Sequence, residues 1–440
     1  MLRSIGGQAV ADPIVYDIRS PEYLDEAAVD KEMRRVFDLC AGCRRCLPLC
    51  PSFPDLFERI DGNATQDAEG LSAADMRNVV DLCYQCKLCY NHCPYHPPHR
   101  WMIDFPRLML RSRASRAKKE GVTFQDRILG MADAIGRLGS MFAPLSNWAN
   151  KLRLNRVLME SVLGIHRDRN LPAYHRTTFS KWFRRRAAPV SPAAAPATAP
   201  AAPAAKVALF ATCSVEFNEP AIGQAAVEVL ERNGIDVSMP DQRCCGMPFL
   251  DGGDLENALK VARSNVASLH TAVKQGRDIV VPGPTCSFTI KNEYPHMLDT
   301  PEAREVAAHT FDICEYLMLR HKEGRLDTRF KAPVGKVAYH LPCHLKAQNI
   351  GYKSRDLLAL IPGSTVSMAE RCSGVDGTWG FKTQYFDLSM KVALPLLREI
   401  DEARPDVTAS DCPLACMQIE KGRGERPLHP IQIVRRAYGD

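Results

Sequence analysis

The run Cys40-Ala-Gly-Cys43-Arg-Arg-Cys46-Leu-Pro-Leu-Cys50-Pro51 recurs in spacing as Cys83-Tyr-Gln-Cys86-Lys-Leu-Cys89-Tyr-Asn-His-Cys93-Pro94. Three thiolates with two residues between each can wrap one loop around three iron corners of a cube. The fourth, sent off ahead of a proline, reaches a second cube instead of its own. Two such runs therefore predict two [4Fe-4S] clusters with exchanged ligands, one on Cys40, Cys43, Cys46 and Cys93 and the other on Cys83, Cys86, Cys89 and Cys50. Each proline biases the cysteine before it towards an extended backbone, which suits a chain leaving one cluster for the other. Zinc sites present cysteines in separated pairs, which fits three-plus-one runs poorly. Disulfides need an oxidising compartment, and no secretory signal is visible in Met1 to Asp12.

Ahead of the first run, Val29, Met33, Val36 and Phe37 recur at helical spacing, so Glu26 to Cys40 and Leu71 to Cys83 read as helices that lead into the cysteine loops. The expected result is a mostly helical ferredoxin-type domain over residues 20–105. A basic amphipathic helical segment, 106–186, follows: from Arg107 to Arg186 there are 18 Lys and Arg against 5 Asp and Glu, although the whole chain of 440 residues carries only +6. Within it Ile128, Met131, Ile135, Leu138, Phe142, Leu145, Trp148 and Leu152 recur every three or four positions. Residues 187–205 are almost wholly Ala and Pro, have nothing to bury, and read as a semi-stiff linker marking a domain boundary. No window reaches the length of apolar residues a spanning helix needs. The expected location is cytoplasmic, with peripheral contact on the inner face of the cytoplasmic membrane open.

Beyond the linker the chain repeats itself. Lys206-Val-Ala-Leu-Phe-Ala-Thr-Cys213 matches Lys336-Val-Ala-Tyr-His-Leu-Pro-Cys343 in register, Cys244-Cys245-Gly246 corresponds to Cys372-Ser373-Gly374, and Cys286 has its counterpart at or near Cys412. In each half a short apolar strand delivers the first cysteine, a helix follows (Ala221 to Arg232 in the first), and a later strand such as Asp278 to Val281 delivers the last. Strands alternating with helices predict parallel α/β units, with cysteines at the carboxyl ends of strands where open α/β sheets place their sites. The fold class is thus α plus α/β: a helical two-cluster module, then two repeated Rossmann-like lobes over 206–330 and 331–440.

These residues resemble the anaerobic glycerol-3-phosphate dehydrogenase C-subunit family and, more broadly, the iron-sulfur proteins with a cysteine-rich CCG domain. The latter include glycolate and lactate oxidase iron-sulfur subunits and the B and D subunits of heterodisulfide reductase. The likeness runs through Pro284-Thr-Cys-Ser-Phe288, Glu293-Tyr-Pro295, Tyr339-His-Leu-Pro-Cys-His344, Gly377-Thr-Trp-Gly-Phe-Lys382 and Asp411-Cys-Pro413 to Gln418-Ile-Glu420. It implies electrons arriving from a flavoprotein dehydrogenase partner and leaving for quinone at the membrane surface. A full CCG set has five cysteines ending in Cys-x-x-Cys. Here the first set has Cys213, Cys244, Cys245 and Cys286, with Gly283 where the penultimate cysteine would stand. The second has Cys343, Cys372 and Cys412, with Ser373 in place of a cysteine, Ala415 at the expected last position and Cys416 one residue late. Four thiolates suffice for a further iron-sulfur cluster or for zinc, so the first set is a candidate and the second a weaker one. The gaps count against the disulfide-cleaving chemistry of heterodisulfide reductases, which is kept as an alternative beside a soluble carrier serving a cytoplasmic oxidoreductase.

His340 and His344 bracket Cys343 and could move protons near neutrality, but hydrogen bonding to loop backbone is the plainer role; His92, His96 and His99 lie in a proline-rich turn and are not expected to be ligands. Trp101, Met102, Ile103, Phe105, Leu108, Met109 and Leu110 abut Arg111, Arg113, Arg116, Lys118 and Lys119. That stretch suits either a helix lying in lipid headgroups or one packed on the cluster module with its cations solvated or facing an acidic partner. No nucleic-acid module, dinucleotide fingerprint or P-loop is present, so the electron donor is expected on another polypeptide.

Overall fold

The computed structural model describes residues 15–186 and 205–439, which leaves all but the last residue of the Ala/Pro linker outside the described part. The chain divides into two compact units, one ending at Gly121 and one beginning at Val122.

The first unit is helical among its described residues: α1 (Glu26–Cys43), α2 (Ser52–Gly62), α3 (Ala73–Leu82), α4 (Leu88–His92) and α5 (Phe105–Glu120). Asp25 caps α1 by accepting from the Ala28 amide, and Ser72 with Asp75 forms a reciprocal capping box on α3. The α1 apolar stripe (Val29, Met33, Val36, Phe37) is buried, and the Phe105 ring lies 6.0 Å from Phe37 and 4.7 Å from Phe53. So α5 is part of this unit, and the boundary expected after residue 105 falls instead after Gly121. The reason is burial. Phe105, Leu108, Met109 and Leu110 are all within the core, and the cations beside them bond to the unit itself. Arg111 donates to the carbonyls of Tyr23 and Glu22, Arg113 to those of Val80 and Cys83, Arg116 pairs with Asp81, and Lys119 with Glu26. Of the two readings open for Trp101 to Lys119, packing on the module is the one found.

The second unit begins with α6 (Phe124–Gly130), α7 (Ala132–Met141), α8 (Ala143–Ala149), α9 (Arg153–Leu163) and α10 (Phe179–Arg185). The first lobe follows: β1 (Lys206–Leu209), α11 (Cys213–Phe217), α12 (Pro220–Arg232), β2 (Asp236–Ser238), α13 (Met247–Asp251), α14 (Leu255–Lys274), β3 (Asp278–Val281), α15 (Pro284–Phe288), a π-helical turn over Thr289–Glu293, α16 (Tyr294–Leu298), α17 (Pro301–Ala308), β4 (Thr310–Asp312) and α18 (Ile313–Lys322). The second lobe has β5 (Lys336–His340), α19 (Cys343–Ala347), α20 (Lys353–Ala359), β6 (Thr365–Ala369), α21 (Phe386–Ala403), β7 (Val407–Ser410), α22 (Pro413–Arg423) and α23 (Pro430–Ala437).

Both sheets are parallel throughout, ordered β2-β1-β3-β4 and β6-β5-β7, with Lys206 of β1 opposite Asp236 and Lys336 of β5 opposite Thr365. The inner strands are short and apolar because helices cover both faces. One hydrophobic core runs through both lobes, joining Val207, Leu209 and Val280 to Val337, Tyr339 and Ala409 by way of Leu230, Leu358, Ile431 and Val434. The lobes are therefore halves of one body.

Residues 122–186 pack onto that body, on the near side of the linker expected to separate them. Gly136 of α7 lies against the Phe217 ring so closely that a Cβ would come within 2.2 Å, and Phe179 of α10 is in the shared core. Arg169 is buried, donates to Gln418 and to Ser389 Oγ, and has its guanidinium over the Phe386 ring.

Candidate metal centre

The α1 helix ends at Cys43 because Arg44 takes a left-handed backbone, its amide still bonded to the Cys40 carbonyl at 2.8 Å. That turn folds the rest of the run back under the helix. Cys40, Cys43, Cys46 and Cys93 line one recess, closed by Phe53, Phe57 and Ile103. Burial first, then the neighbouring Cys46, Cys93 and Cys43, push the Cys40 thiol far up; burial and Cys93 push Cys46 up to about 12. Cys89 is raised by burial and by Cys86, Cys83 and Cys50 in that order. The fourth cysteine of each run thus lies with the first three of the other, as the exchanged ligand pattern requires. Thiols that oppose one another's ionisation in a half-buried recess are costly to ionise unless a cation shares them, and iron is what such a set suits. Backbone and side-chain amides already point at the sulfurs: Tyr95 N lies 3.4 Å from Cys93 Sγ, and Gln85 Nε2 lies 3.4 Å from Cys83 Sγ.

In the first lobe, Cys213 opens α11, Cys244 and Cys245 precede α13, and Cys286 is in α15. The structure brings all four together. Cys245 is held well below the usual thiol range because Cys244 and Cys286 donate to it, helped by the Met247 amide and the Thr289 hydroxyl. Cys244 and Cys286 are pushed up, the former through its bonds to Cys213 and Cys245 and the latter through Cys245. Gly246 (φ +89°) permits the turn that places two successive thiols on one side. Asp133 of α7 caps the turn by accepting from the Cys244 amide at 2.8 Å, and burial raises its carboxyl. Beside Cys213 and Cys244 lies a cavity of about 480 Å³, walled by α7 and α10 and carrying Arg137, Lys181, Arg184 and Arg243. Ser140 lines it too, buried, with its hydroxyl unpartnered among the described residues.

In the second lobe an acidic side chain joins the cysteines. β3 and β7 each end three residues before a proline that opens the next helix, so Gly283 corresponds to Cys412 and Cys286 to Ala415. The counterpart of Cys286 is thus three residues beyond Cys412. A Cβ at Gly283 would come within 2.7 Å of the Thr212 methyl, which explains the missing cysteine there. Cys343 Sγ donates to Asp376 Oδ2 at 3.2 Å, and donor atoms of Cys343, His344 and Asp376 lie within 4.8 Å of one another. Cys412 is raised to about 12 by burial, with Asp376 contributing. Cys372 Sγ accepts from the Gly374 amide at 3.2 Å, and the Cys416 thiol is directed to the Ser410 carbonyl at 3.6 Å.

His340 follows the plainer reading: Nε2 donates to the Arg371 carbonyl, Nδ1 meets Ser410 Oγ, and burial lowers its pKa to about 4. His92, His96 and His99 make local contacts, with Arg45, the Tyr90 ring and the Trp101 amide. Asp376 and Cys314 are residues the sequence did not single out. Cys314 is fully buried where the lobes meet, beside an Asp411 carboxylate that accepts from Tyr339, Ser354 and Cys314 itself.

Exposed apolar side chains are concentrated in one stretch of the chain. Eleven of the fourteen exposed large apolar side chains among the described residues lie between Phe124 and Val162, on α6 to α9 and their links. No helix among the described residues is long and apolar enough to cross a membrane.

A helical cysteine module joined to two cysteine-bearing parallel α/β lobes defines an iron-sulfur protein of the CCG class. Residues 33–119 match the Citrate utilization protein B Fer4-like domain, and 207–291 and 337–420 each match the Cysteine-rich domain. The chain is 32% identical to the C subunit of the anaerobic glycerol-3-phosphate dehydrogenase of Escherichia coli K12, over 70% of this chain and 76% of that one. It is 28% identical to lactate utilization protein A of Bacillus pumilus and 32% identical to that of Bacillus cytotoxicus, in both cases over 53% of this chain and 97% of the relative. The chain belongs to the anaerobic glycerol-3-phosphate dehydrogenase C-subunit family, and its role is that of an iron-sulfur electron-transfer subunit of an oxidoreductase.

Proposed function

We propose that this chain relays electrons from a flavoprotein dehydrogenase partner to membrane quinone, through two [4Fe-4S] clusters in the first unit and a third iron-sulfur group in the first lobe. The observation that carries this reading is the grouping of thiols: two sets of four in the helical unit, and in the first parallel α/β lobe a quartet of three buried thiols with the half-buried Cys213. Iron-sulfur groups bound there would supply one-electron transfer. The protein's part is to hold the sulfurs fixed, exclude water, and tune potential through N–H···S contacts such as those of Tyr95 and Gln85. The substrate of the partner is drawn from the relatives alone: glycerol 3-phosphate, or lactate as a 2-hydroxy acid.

On this reading the chain sits at the inner face of the cytoplasmic membrane, with α6 to α9 as the lipid contact in place of α5. Leu154 and Leu158 are on α9, Leu138 and Met141 on α7, and Leu145 and Trp148 on α8; all are exposed. Arg127, Lys151 and Arg153 lie among them and favour anionic lipid. The cavity next to Cys213 and Cys244 has walls from α7 and α10, so an acceptor arriving along that surface would reach the quartet by a short path.

Anaerobic purification with iron and sulfide analysis, and electron paramagnetic resonance of the reduced protein, tests the relay. At least two [4Fe-4S] signals are expected. A chain that carries zinc and no iron would sink the reading.

A further inference from the structure

We propose that the second lobe binds a single zinc ion through Cys343, His344 and Asp376, the fourth position going to Cys412 or to water.

Geometry is the first reason. The three donor atoms lie within 4.8 Å of one another, and Cys343 Sγ stands 3.2 Å from Asp376 Oδ2. Donors to one tetrahedral ion, with bonds of about 2.0 to 2.3 Å, are roughly 3.3 to 3.8 Å apart. Thiolates on different irons of a cluster stand further from one another than this.

Donor chemistry is the second. A thiolate, an imidazole and a carboxylate together suit zinc, whereas a cluster is held by thiolates. The substitutions in this lobe run in that direction. Ser373 replaces the residue that corresponds to Cys245, the sulfur on which the first-lobe quartet centres, and Ala415 replaces the counterpart of Cys286. Asp376, three residues after Ser373, brings an oxygen donor to the same place.

The third reason is the support behind the histidine. His344 Nδ1 lies 2.9 Å from Thr285 Oγ1, and its ring stacks on Phe288 at 5.3 Å with 17° between planes. Outer contacts of this kind fix the tautomer and direction of a ligating imidazole. Both Thr285 and Phe288 belong to α15, the helix that carries Cys286, so the zinc lobe would brace the quartet without carrying electrons, since zinc has no redox chemistry.

The test uses the full chain purified without added metal, with zinc and iron counted per chain by elemental analysis. Wild type is expected to hold one zinc besides its iron. Cys343→Ser, Asp376→Asn and His344→Gln should lose zinc and keep iron, and Cys286→Ser should lose the iron of the first-lobe group alone and keep zinc. Thr285→Val should weaken zinc about 10- to 100-fold against a competing chelator. Growth with cobalt should give thiolate-to-cobalt absorption that Cys343→Ser abolishes. Wild type without stoichiometric zinc overturns the proposal, as does zinc retained in all three ligand variants, or iron lost together with zinc in Cys343→Ser. If Cys343→Ser fails to fold, by circular dichroism, Asp376→Asn and His344→Gln decide. Zinc present with no iron anywhere would sink the relay and leave this site standing.

Discussion

Replacing Leu145, Leu154 and Leu158 by Asp together is the sharpest test of the proposed lipid contact. Leu154 is 82% exposed and the other two about 60% and 58%, so removing them takes almost nothing from the folded core. Surface changes of this kind cost about 0.5 kcal/mol or less, and the melting temperature should be unchanged. Full transfer of a leucine from water is worth about 1.5 to 3 kcal/mol, and the exposed share of each is roughly 1 to 2 kcal/mol. Three together therefore contribute about 4 kcal/mol to lipid binding, a loss of roughly a thousandfold in partition before the added repulsion between aspartate and anionic headgroups. The assay is flotation of the full chain with phosphatidylglycerol-containing vesicles, with phosphatidylcholine alone as the reference. Wild type should float, less so at high salt, and the triple variant should stay at the bottom. Lys118→Glu with Lys119→Glu is the companion variant. Both cations lie in the last turn of α5, where Lys119 pairs with Glu26, and flotation should not change. A triple variant that floats like wild type, or loss of binding through the α5 pair alone, would refute the reasoning.

Other outcomes follow from particular contacts. Cys93→Ser should disturb the cluster signal of the Cys40 run, and Cys50→Ser that of the Cys83 run, as spectra of the two reduced variants would show. His429 is buried, its Nδ1 accepts from the Ile431 amide, and burial lowers its pKa to about 3. The native state thus keeps it neutral while the unfolded chain protonates below about pH 6.5, so this stability is whole above that pH and is lost on acidification. His429→Asn keeps the cap acceptor and removes the titration; between pH 6.5 and 5 it should gain about 2 kcal/mol relative to wild type in denaturant melts. Gly374→Ala should cost roughly 2 to 4 kcal/mol, since φ is +72° and the new Cβ would lie 2.3 Å from the Ser389 carbonyl oxygen. Arg169→Ala should lower the melting temperature more than Arg169→Met. Both lose the bonds to Gln418 and Ser389, but burial without an acidic partner already strains the cation, pulling its pKa to about 10, and methionine refills the volume.

What could be read in advance was whatever the local chain dictates. The paired cysteine runs, the helix from Glu26, the strand Asp278 to Val281 and the repeat beginning at Lys206 and Lys336 rest on spacing and periodicity, and the structure has these elements at those places. What could not be read was which face of an apolar helix is covered. Leu108 and Leu145 occupy similar amphipathic stretches, yet one is in the core and the other in solvent, because only the three-dimensional neighbours decide. The Ala/Pro run suggested a domain boundary, but the residues before it pack on the lobes after it through Phe179 and Arg169, contacts far apart in sequence. Asp376 gave no signal at all: its part depends on a loop bringing it against Cys343, 33 residues away.

The two lobes have lost complementary cysteines from one pattern, and the losses have different physical causes. In the first, Gly283 stands where the Thr212 methyl leaves no room for a side chain, and the remaining four thiols still close around Cys245. In the second, the central sulfur itself is gone, replaced by Ser373, and no arrangement of Cys343, Cys372 and Cys412 could restore a quartet of that shape. Electron transfer needs a centre near both a donor and an exit. The first lobe has such an opening, a cavity lined by Cys213 and Cys244 and walled in part by α7. On the proposed reading, the lobe beside that opening keeps its sulfurs for electron transfer, and the lobe that offers a nitrogen and an oxygen in their place holds zinc.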